Sequence, residues 1–99
     1  MFQNNANKIA PQEIVFPELS YQIVGSAFHV FNALGWGLPE KDYQKALEVE
    51  FKERGLLFRR EVYIPLKYKS ENIGRYFADF IVEDKVLVEV KAVEKYHPI

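Results

Sequence analysis

Residues 76–93 read YFADFIVEDKVLVEVKAV, with apolar residues at every second position on both sides of the charged segment 83–85. Alternation with a period of two is typical of β-strands that bury one face. The two apolar sets share a face when Phe80 pairs with Val88, because a slip of one residue would turn every side chain over. We therefore predict an antiparallel hairpin whose loop is the three-residue segment 83–85.

This register brings two carboxylates together. It places Asp79 directly across from Glu89, while Lys91 lies on the same face, across from Phe77. Opposed carboxylates repel each other by a few tenths to about 1 kcal/mol, so the pair makes sense with a cation between them. Hard oxygen ligands of this kind suit Mg²⁺ or Mn²⁺. Lys91 is placed to orient a water molecule or to steady negative charge on a phosphate.

Two interpretations of this pattern are open. In one, the two acids hold a metal ion; in the other, the hairpin has a solvated face on which Lys91 neutralises both acids. The acidic face also carries apolar residues, which favours the interpretation that this face is covered. Charged side chains on a covered face are costly unless they are paired or bind a metal ion. These apolar residues are Phe77, Ile81, Leu87 and Val93.

Outward from the hairpin, apolar spacing predicts two helices. Steps of three and four residues favour helices at about 18–34 and 39–54. Gly35 and Gly55 follow these segments as C-terminal stops. On the second helix we assign Tyr43 to the apolar core.

The remaining segments complete an α+β fold. Alternation favours a strand at about 58–68, which Pro65 places at a sheet edge or at a bulge. The hairpin strands are expected at about 74–82 and 86–93, and residues 1–16, which lack periodicity, as a loose arm. The expected domain covers residues 17–99, with two helices packed on a three-stranded antiparallel meander.

Composition indicates a globular protein and excludes some classes. The 99 residues are 48% hydrophobic and 27% charged, with no cysteine. No apolar run approaches the roughly 20 residues that span a bilayer, and residues 1–12 lack the apolar centre of a secretory signal. We expect a cytoplasmic location without membrane association. The net charge of −1 argues against coating nucleic acid by bulk charge.

One basic segment stands out against this balance. Residues 52–69 contain six Lys or Arg residues and two Glu residues. A local contact with phosphates and an ordinary solvated strand are both compatible with that excess. The candidates for nucleic-acid contact are Arg59, Arg60, Lys67 and Lys69.

Several phrases, in order over about 19–99, resemble one family. Together they are similar to the bacterial GxxExxY proteins of the PD-(D/E)XK nuclease superfamily. The name-giving motif is GLPEKDY at 37–43, and the closing run VEDKVLVEVKAV at 82–93 is the most specific piece. The other matching phrases are LGWGL at 34–38, EFKERGL at 50–56 and YFADF at 76–80.

The resemblance implies a metal-dependent site. Asp79 and Glu89 would bind Mg²⁺ or Mn²⁺ and Lys91 would assist, in agreement with the register argument. An acid on the preceding helix often completes the set, which makes Glu40 and Glu50 candidates. They lie about 15 Å apart along a helix axis, so one metal cannot use both. Glu50, deeper in the apolar stripe, is preferred as the partner of a buried base.

The chain also departs from the family pattern. Trp36 stands where members usually have Pro, and Phe31 where they often have His. The family continues past Ile99 with a helix and a further strand. We therefore expect an incomplete domain whose uncovered sheet edge pairs with a second copy of the chain.

Two functions follow from this resemblance. The leading hypothesis is a nuclease-like domain that hydrolyses phosphodiester bonds of DNA or RNA with a metal ion. The alternative is a non-catalytic nucleic-acid-binding or protein-interaction module that retains the fold, since a fold alone does not imply an activity.

Overall fold

The computed structural model describes residues 2–4 and 16–91. The elements in chain order are β1 (Phe2–Asn4), α1 (Pro17–Leu34), α2 (Glu40–Glu53), β2 (Phe58–Tyr68), β3 (Glu71–Val82) and β4 (Val86–Val90). The strands form one antiparallel sheet, in the order β1, β4, β3, β2. The α+β class and the predicted meander on two helices are confirmed.

The β3–β4 hairpin has the predicted register. Phe80 pairs with Val88 and Val82 with Val86, around a three-residue turn at 83–85. Apolar alternation decided this pairing, because only one register keeps all the valines on the same face. The residues buried on that face are Ala78, Phe80, Val82, Val86, Val88 and Val90.

Both helices cover this face of the sheet and form the core with it. The buried residues of each helix recur at steps of three and four, as an amphipathic helix requires. Leu34 follows Val30 by four residues, a spacing that predicts a buried position, but it lies at the end of α1 and is 43% exposed. The helical core residues are Ile23, Ala27 and Val30 of α1 and Tyr43, Leu47 and Phe51 of α2.

Tyr43 is buried in the core and stabilises the connection between α1 and α2 through its hydroxyl group. Its hydroxyl donates a hydrogen bond to the Gly35 carbonyl at 2.6 Å and accepts one from the Leu38 N–H at 3.2 Å. Its ring stacks on Phe31 with the centroids 4.7 Å apart. The assignment of Tyr43 to the core is therefore confirmed, and its side chain is 1% exposed.

Replacing Tyr43 by phenylalanine should destabilise the domain. Each hydrogen bond contributes about 0.5–1.5 kcal/mol, and the partners would be left within half-buried surroundings. We expect a loss of about 1–3 kcal/mol and a thermal midpoint lower by about 4–8 °C per kcal/mol. Thermal unfolding followed by circular dichroism measures this change. Tyr21→Phe is the control, because Tyr21 is 77% exposed; equal melting of both variants would contradict the assigned role.

Strand bounds differ from the prediction at the β2–β3 connection and at the end of β4. β3 begins at Glu71, because a two-residue turn at Lys69 and Ser70, both with positive φ, closes the hairpin earlier than expected. β2 is an edge strand, as Pro65 predicted, and it carries an irregularity after Leu66. β4 ends at Val90, and residues 92–99 lie outside the described part of the chain.

The N-terminal segment corrects two expectations. Phe2–Asn4 forms a strand, β1, which pairs with β4 along the edge expected to be uncovered. Its backbone groups satisfy those of β4, so this edge is not free to pair with a second copy as the sequence suggested. The rest of the predicted arm, residues 5–15, lies outside the described residues.

Candidate active site

Asp79 lies where β3 and β4 stop pairing. The last pair of their ladder is Phe80 with Val88, and the next position in the same register sets Asp79 across from Glu89. Beyond this point β4 continues to pair with β1 alone. The Asp79 carboxylate itself accepts a hydrogen bond from the Val90 N–H at 2.7 Å. A side chain thus replaces the ladder bond at the position where the strands part.

The ladder is also interrupted on the other side of Asp79. Arg60 and Val62 of β2 pair with β3, but Glu61 between them, at the position facing Asp79, does not. Glu61 has φ 51°, in the left-handed region that non-glycine residues rarely adopt. Instead, Arg60 Nε donates to the Asp79 carbonyl oxygen at 3.3 Å. Such local strain clusters at functional sites in proteins.

Arg60 connects this interruption to α2. Its guanidinium donates to Glu48 at 2.8 Å and to Gln44 at 3.0 Å, and it lies 4.7 Å from the centre of the Phe80 ring. The hydrogen bond from Arg60 lowers the pKa of the Glu48 carboxyl below its ordinary value. Arg60 is therefore a link between α2 and the backbone of Asp79. These contacts give Arg60 a packing role, and its contact with nucleic acid stays a prediction.

Tyr76 is an aromatic neighbour of the acid pair. Burial, a hydrogen bond with the Glu89 carboxylate and the negative charges of Glu89 and Asp79 raise the pKa of Tyr76 to about 12. The negative charges of both carboxylates therefore act on the Tyr76 phenol, which agrees with their placement across from each other. Asp79 and Glu89 are half-buried, and Lys91, directly after β4, is exposed.

The two helical acids do not join Asp79 and Glu89. Glu50 accepts a hydrogen bond from Arg54 at 2.9 Å, and Arg54 also donates to Gln22 of α1 at 2.9 Å. The basic partner expected for Glu50 is therefore Arg54, and the pair ties α2 to α1. Glu40 is exposed at the first position of α2, where a carboxylate interacts favourably with the helix dipole.

The exposed basic residues lie at two ends of β2. Arg59 forms an ion pair with Asp84 at 3.0 Å, one strand position from Arg60. Lys67 and Lys69 lie at the other end of the β2–β3 hairpin, where Lys67 pairs with Asn72. Asn72 is about 23 Å from Asp79 along an extended strand. A nucleic acid touching these lysines would therefore extend several nucleotides beyond the acid pair.

Within residues 2–4 and 16–91, no group of three or more His, Cys, Asp or Glu side chains is arranged to hold a metal ion. Two hard carboxylates nevertheless fit a cation such as Mg²⁺, which keeps several of its waters and needs one or two protein carboxylates. Asp79 and Glu89 meet that requirement, and their mutual repulsion favours a cation between them.

Sequence reasoning did not connect Arg60 or Tyr76 with the two acids. Arg60 occupies the place in the β2 alternation between Phe58 and Val62, and all three are half-buried. A charged residue at an inward position needs a buried partner, and this signal was available in the sequence. Tyr76 belongs to the same alternating set as Ala78 and Phe80, which form the core face, and nothing in that alternation indicates that its hydroxyl lies near Glu89.

Comparisons with known proteins give one match. The family model of the PD-(D/E)XK nuclease superfamily matches residues 17–99. The comparison with curated proteins and that with solved structures give no match. Among the described residues, neither helix combines the length and the apolar character that crossing a membrane requires.

Proposed function

The chain belongs to the PD-(D/E)XK nuclease superfamily, and on that premise we propose that it hydrolyses phosphodiester bonds of nucleic acid at Asp79 and Glu89. The observation that carries this proposal is the placement of the two carboxylates across from each other where β3 and β4 stop pairing. The motif at residues 37–43 further supports membership of the GxxExxY group. The cytoplasm remains the proposed location, on composition alone.

Asp79 and Glu89 would hold a divalent cation, Mg²⁺ or Mn²⁺, through their carboxylate oxygens. When bound, the cation supplies charge neutralisation at the phosphate and a more acidic water molecule. The link from α2 through Arg60 to the Asp79 carbonyl fixes the position of this acid before metal or substrate arrives. The Tyr76 phenol lies near Glu89, whose carboxylate helps to raise its pKa.

Lys91 assists the hydrolysis from the same face. Its ammonium group would orient the attacking water and offset the negative charge that develops on the phosphate oxygens. The water oxygen bonds to phosphorus as the bond from phosphorus to one bridging oxygen breaks. The water loses a proton, the leaving oxygen gains one, and the products are a phosphate monoester and a free hydroxyl. Exposure of Lys91 leaves it accessible to a bound nucleic acid.

A specific observation favours the second candidate, a binding module without catalysis. In the described ranges only pairs of acids come together, and neither Glu40 nor Glu50 adds a third ligand. The family resemblance implies that an acid on the helix before the sheet often completes the metal site. Nucleic-acid binding with no cleavage in any divalent metal would identify this second function.

Hydrolysis assays test the proposal directly. End-labelled single- and double-stranded DNA and RNA should be cleaved with Mg²⁺ or Mn²⁺ and remain intact with chelator. Lys91→Met should lower the rate by about 100- to 1,000-fold, as is typical when one charge-stabilising group is removed. Glu53→Gln is the matched control, because Glu53 is exposed at the far end of α2. Cleavage that survives chelator, or that Lys91→Met leaves unchanged, would contradict the proposed site.

A further inference from the structure

Two aromatic rings are paired on the face of the sheet that carries the acids. Tyr63 of β2 lies across from Phe77 of β3, with ring centroids 5.5 Å apart. Both rings remain about half exposed, Tyr63 at 52% and Phe77 at 53%. Exposed aromatic rings in contact with each other offer flat apolar area to a partner, which isolated surface residues do not.

This aromatic pair is next to the candidate active site. Phe77 and Asp79 are separated by one residue and point to the same side of β3, about 7 Å apart along the strand. Exposed Arg75 precedes Phe77 by two positions, on the same side of β3. Exposed Lys91 follows directly after β4, two positions beyond Glu89. The two rings therefore lie beside Asp79, with the exposed cation Arg75 next to them on β3.

We propose that Tyr63 and Phe77 form a stacking platform for an unpaired nucleobase, so that the substrate is single-stranded or frayed nucleic acid. This inference rests on the proposed function. Bases stack on aromatic side chains irrespective of sequence, while cations such as Arg75 and Lys91 contact the phosphates on either side. A base inside a duplex has both faces covered by its neighbours, so a duplex cannot use this platform without opening.

The charges around the rings favour a nucleic acid over a second copy of the chain. A stable protein interface covers roughly 800 Å² on each partner and depletes charged residues at its centre. Here exposed Arg75 adjoins the ring pair on β3, and exposed Lys91 follows the strand that carries Glu89, a charge pattern complementary to the phosphates that flank a base. The platform is thus matched in charge to nucleic acid.

Fluorescence of 2-aminopurine tests the platform without any cleavage. A single-stranded oligonucleotide containing this base analogue is titrated with Glu89→Gln protein in chelator, because stacking quenches its emission. Phe77→Leu and Tyr63→Leu, made in that background, should each weaken binding about tenfold and reduce the quenching. Phe77→Trp should restore both. Tyr21→Leu, at a ring that is 77% exposed on α1, should change neither.

The outcomes separate this inference from the proposed function. Unchanged quenching in both leucine variants, equal binding of duplex and single strand, or a shift in oligomeric state instead of affinity would each overturn the platform. The hydrolysis assays would stand unaffected by such a result. Conversely, quenching that depends on both rings, in a protein that cleaves no nucleic acid, would support the platform and contradict the proposed nuclease activity.

Discussion

Replacing Asp79 by asparagine is expected to abolish Mn²⁺ binding and to leave the metal-free protein as stable as the wild type or slightly more stable. The change removes one of two negative charges that face each other without a cation, a repulsion of a few tenths to about 1 kcal/mol. It also keeps a side-chain oxygen that accepts the Val90 N–H. Charge is lost while the hydrogen bond survives, so the variant separates metal binding from structure.

Asp79→Ala is the matched variant, and it should behave differently. The half-buried Val90 N–H, which donates to Asp79 at 2.7 Å, would lose its acceptor at a cost of about 1–3 kcal/mol. Isothermal calorimetry with Mn²⁺ and thermal unfolding in chelator measure the two effects independently. If the asparagine variant melts well below the wild type in chelator, Asp79 is a structural residue and the metal proposal loses its main support.

Alternation in the sequence predicted the β3–β4 hairpin well because a strong physical constraint lies behind it. Six residues of that face are at most 3% exposed. A shift of one position in β3 or β4 would turn the buried side chains of that strand to the other face and bring Asp79 or Glu89 into the core. The free-energy cost of such a shift is far larger than any preference of the turn. The register of the hairpin, and with it the side of the sheet that carries Asp79 and Glu89, could therefore be predicted from the pattern alone.

The surroundings of the acids depended on contacts that no local pattern encodes. Arg60 bonds to Glu48 and Gln44 on α2, and these pairings follow from how the helix lies across the sheet. Sequence spacing shows which face a residue takes but not which residue it meets. For the same reason, Glu50 was identified as the partner of a base while Arg54, one helical turn away, was not named.

The free edge of β4 was predicted incorrectly for a different reason. Residues 1–16 have no periodicity, and a three-residue strand is too short to produce any. Its pairing with β4 rests on backbone hydrogen bonds, which are indifferent to side-chain type. The Gln3 backbone pairs with Glu89, so this strand also steadies the backbone of a candidate metal ligand after the pairing with β3 has ended.

Replacing Phe80 by alanine should destabilise the domain more than Tyr43→Phe or Asp79→Ala. Phe80 is fully buried, and its ring meets Phe51 at 5.1 Å and Phe58 at 5.7 Å between centroids. Arg60 lies over the same ring, so the variant also removes a cation–π contact. Truncating a buried phenylalanine costs about 3–5 kcal/mol, against a total stability of about 5–15 kcal/mol for a domain.

Urea unfolding followed by circular dichroism measures this loss, because the single tryptophan, Trp36, is 74% exposed and is a weak probe of the core. Phe77→Ala is the control, since it removes the same ring from the same strand at a position that is 53% exposed. Phe77→Ala should cost about 1 kcal/mol or less, in proportion to the smaller area that its ring buries.

Phe80→Leu keeps most of the side-chain volume, and its loss of stability should fall between those of Phe80→Ala and Phe77→Ala. Equal losses of stability for Phe80→Ala and Phe77→Ala would show that the contacts among the Phe80, Phe51 and Phe58 rings do not hold β3 against α2.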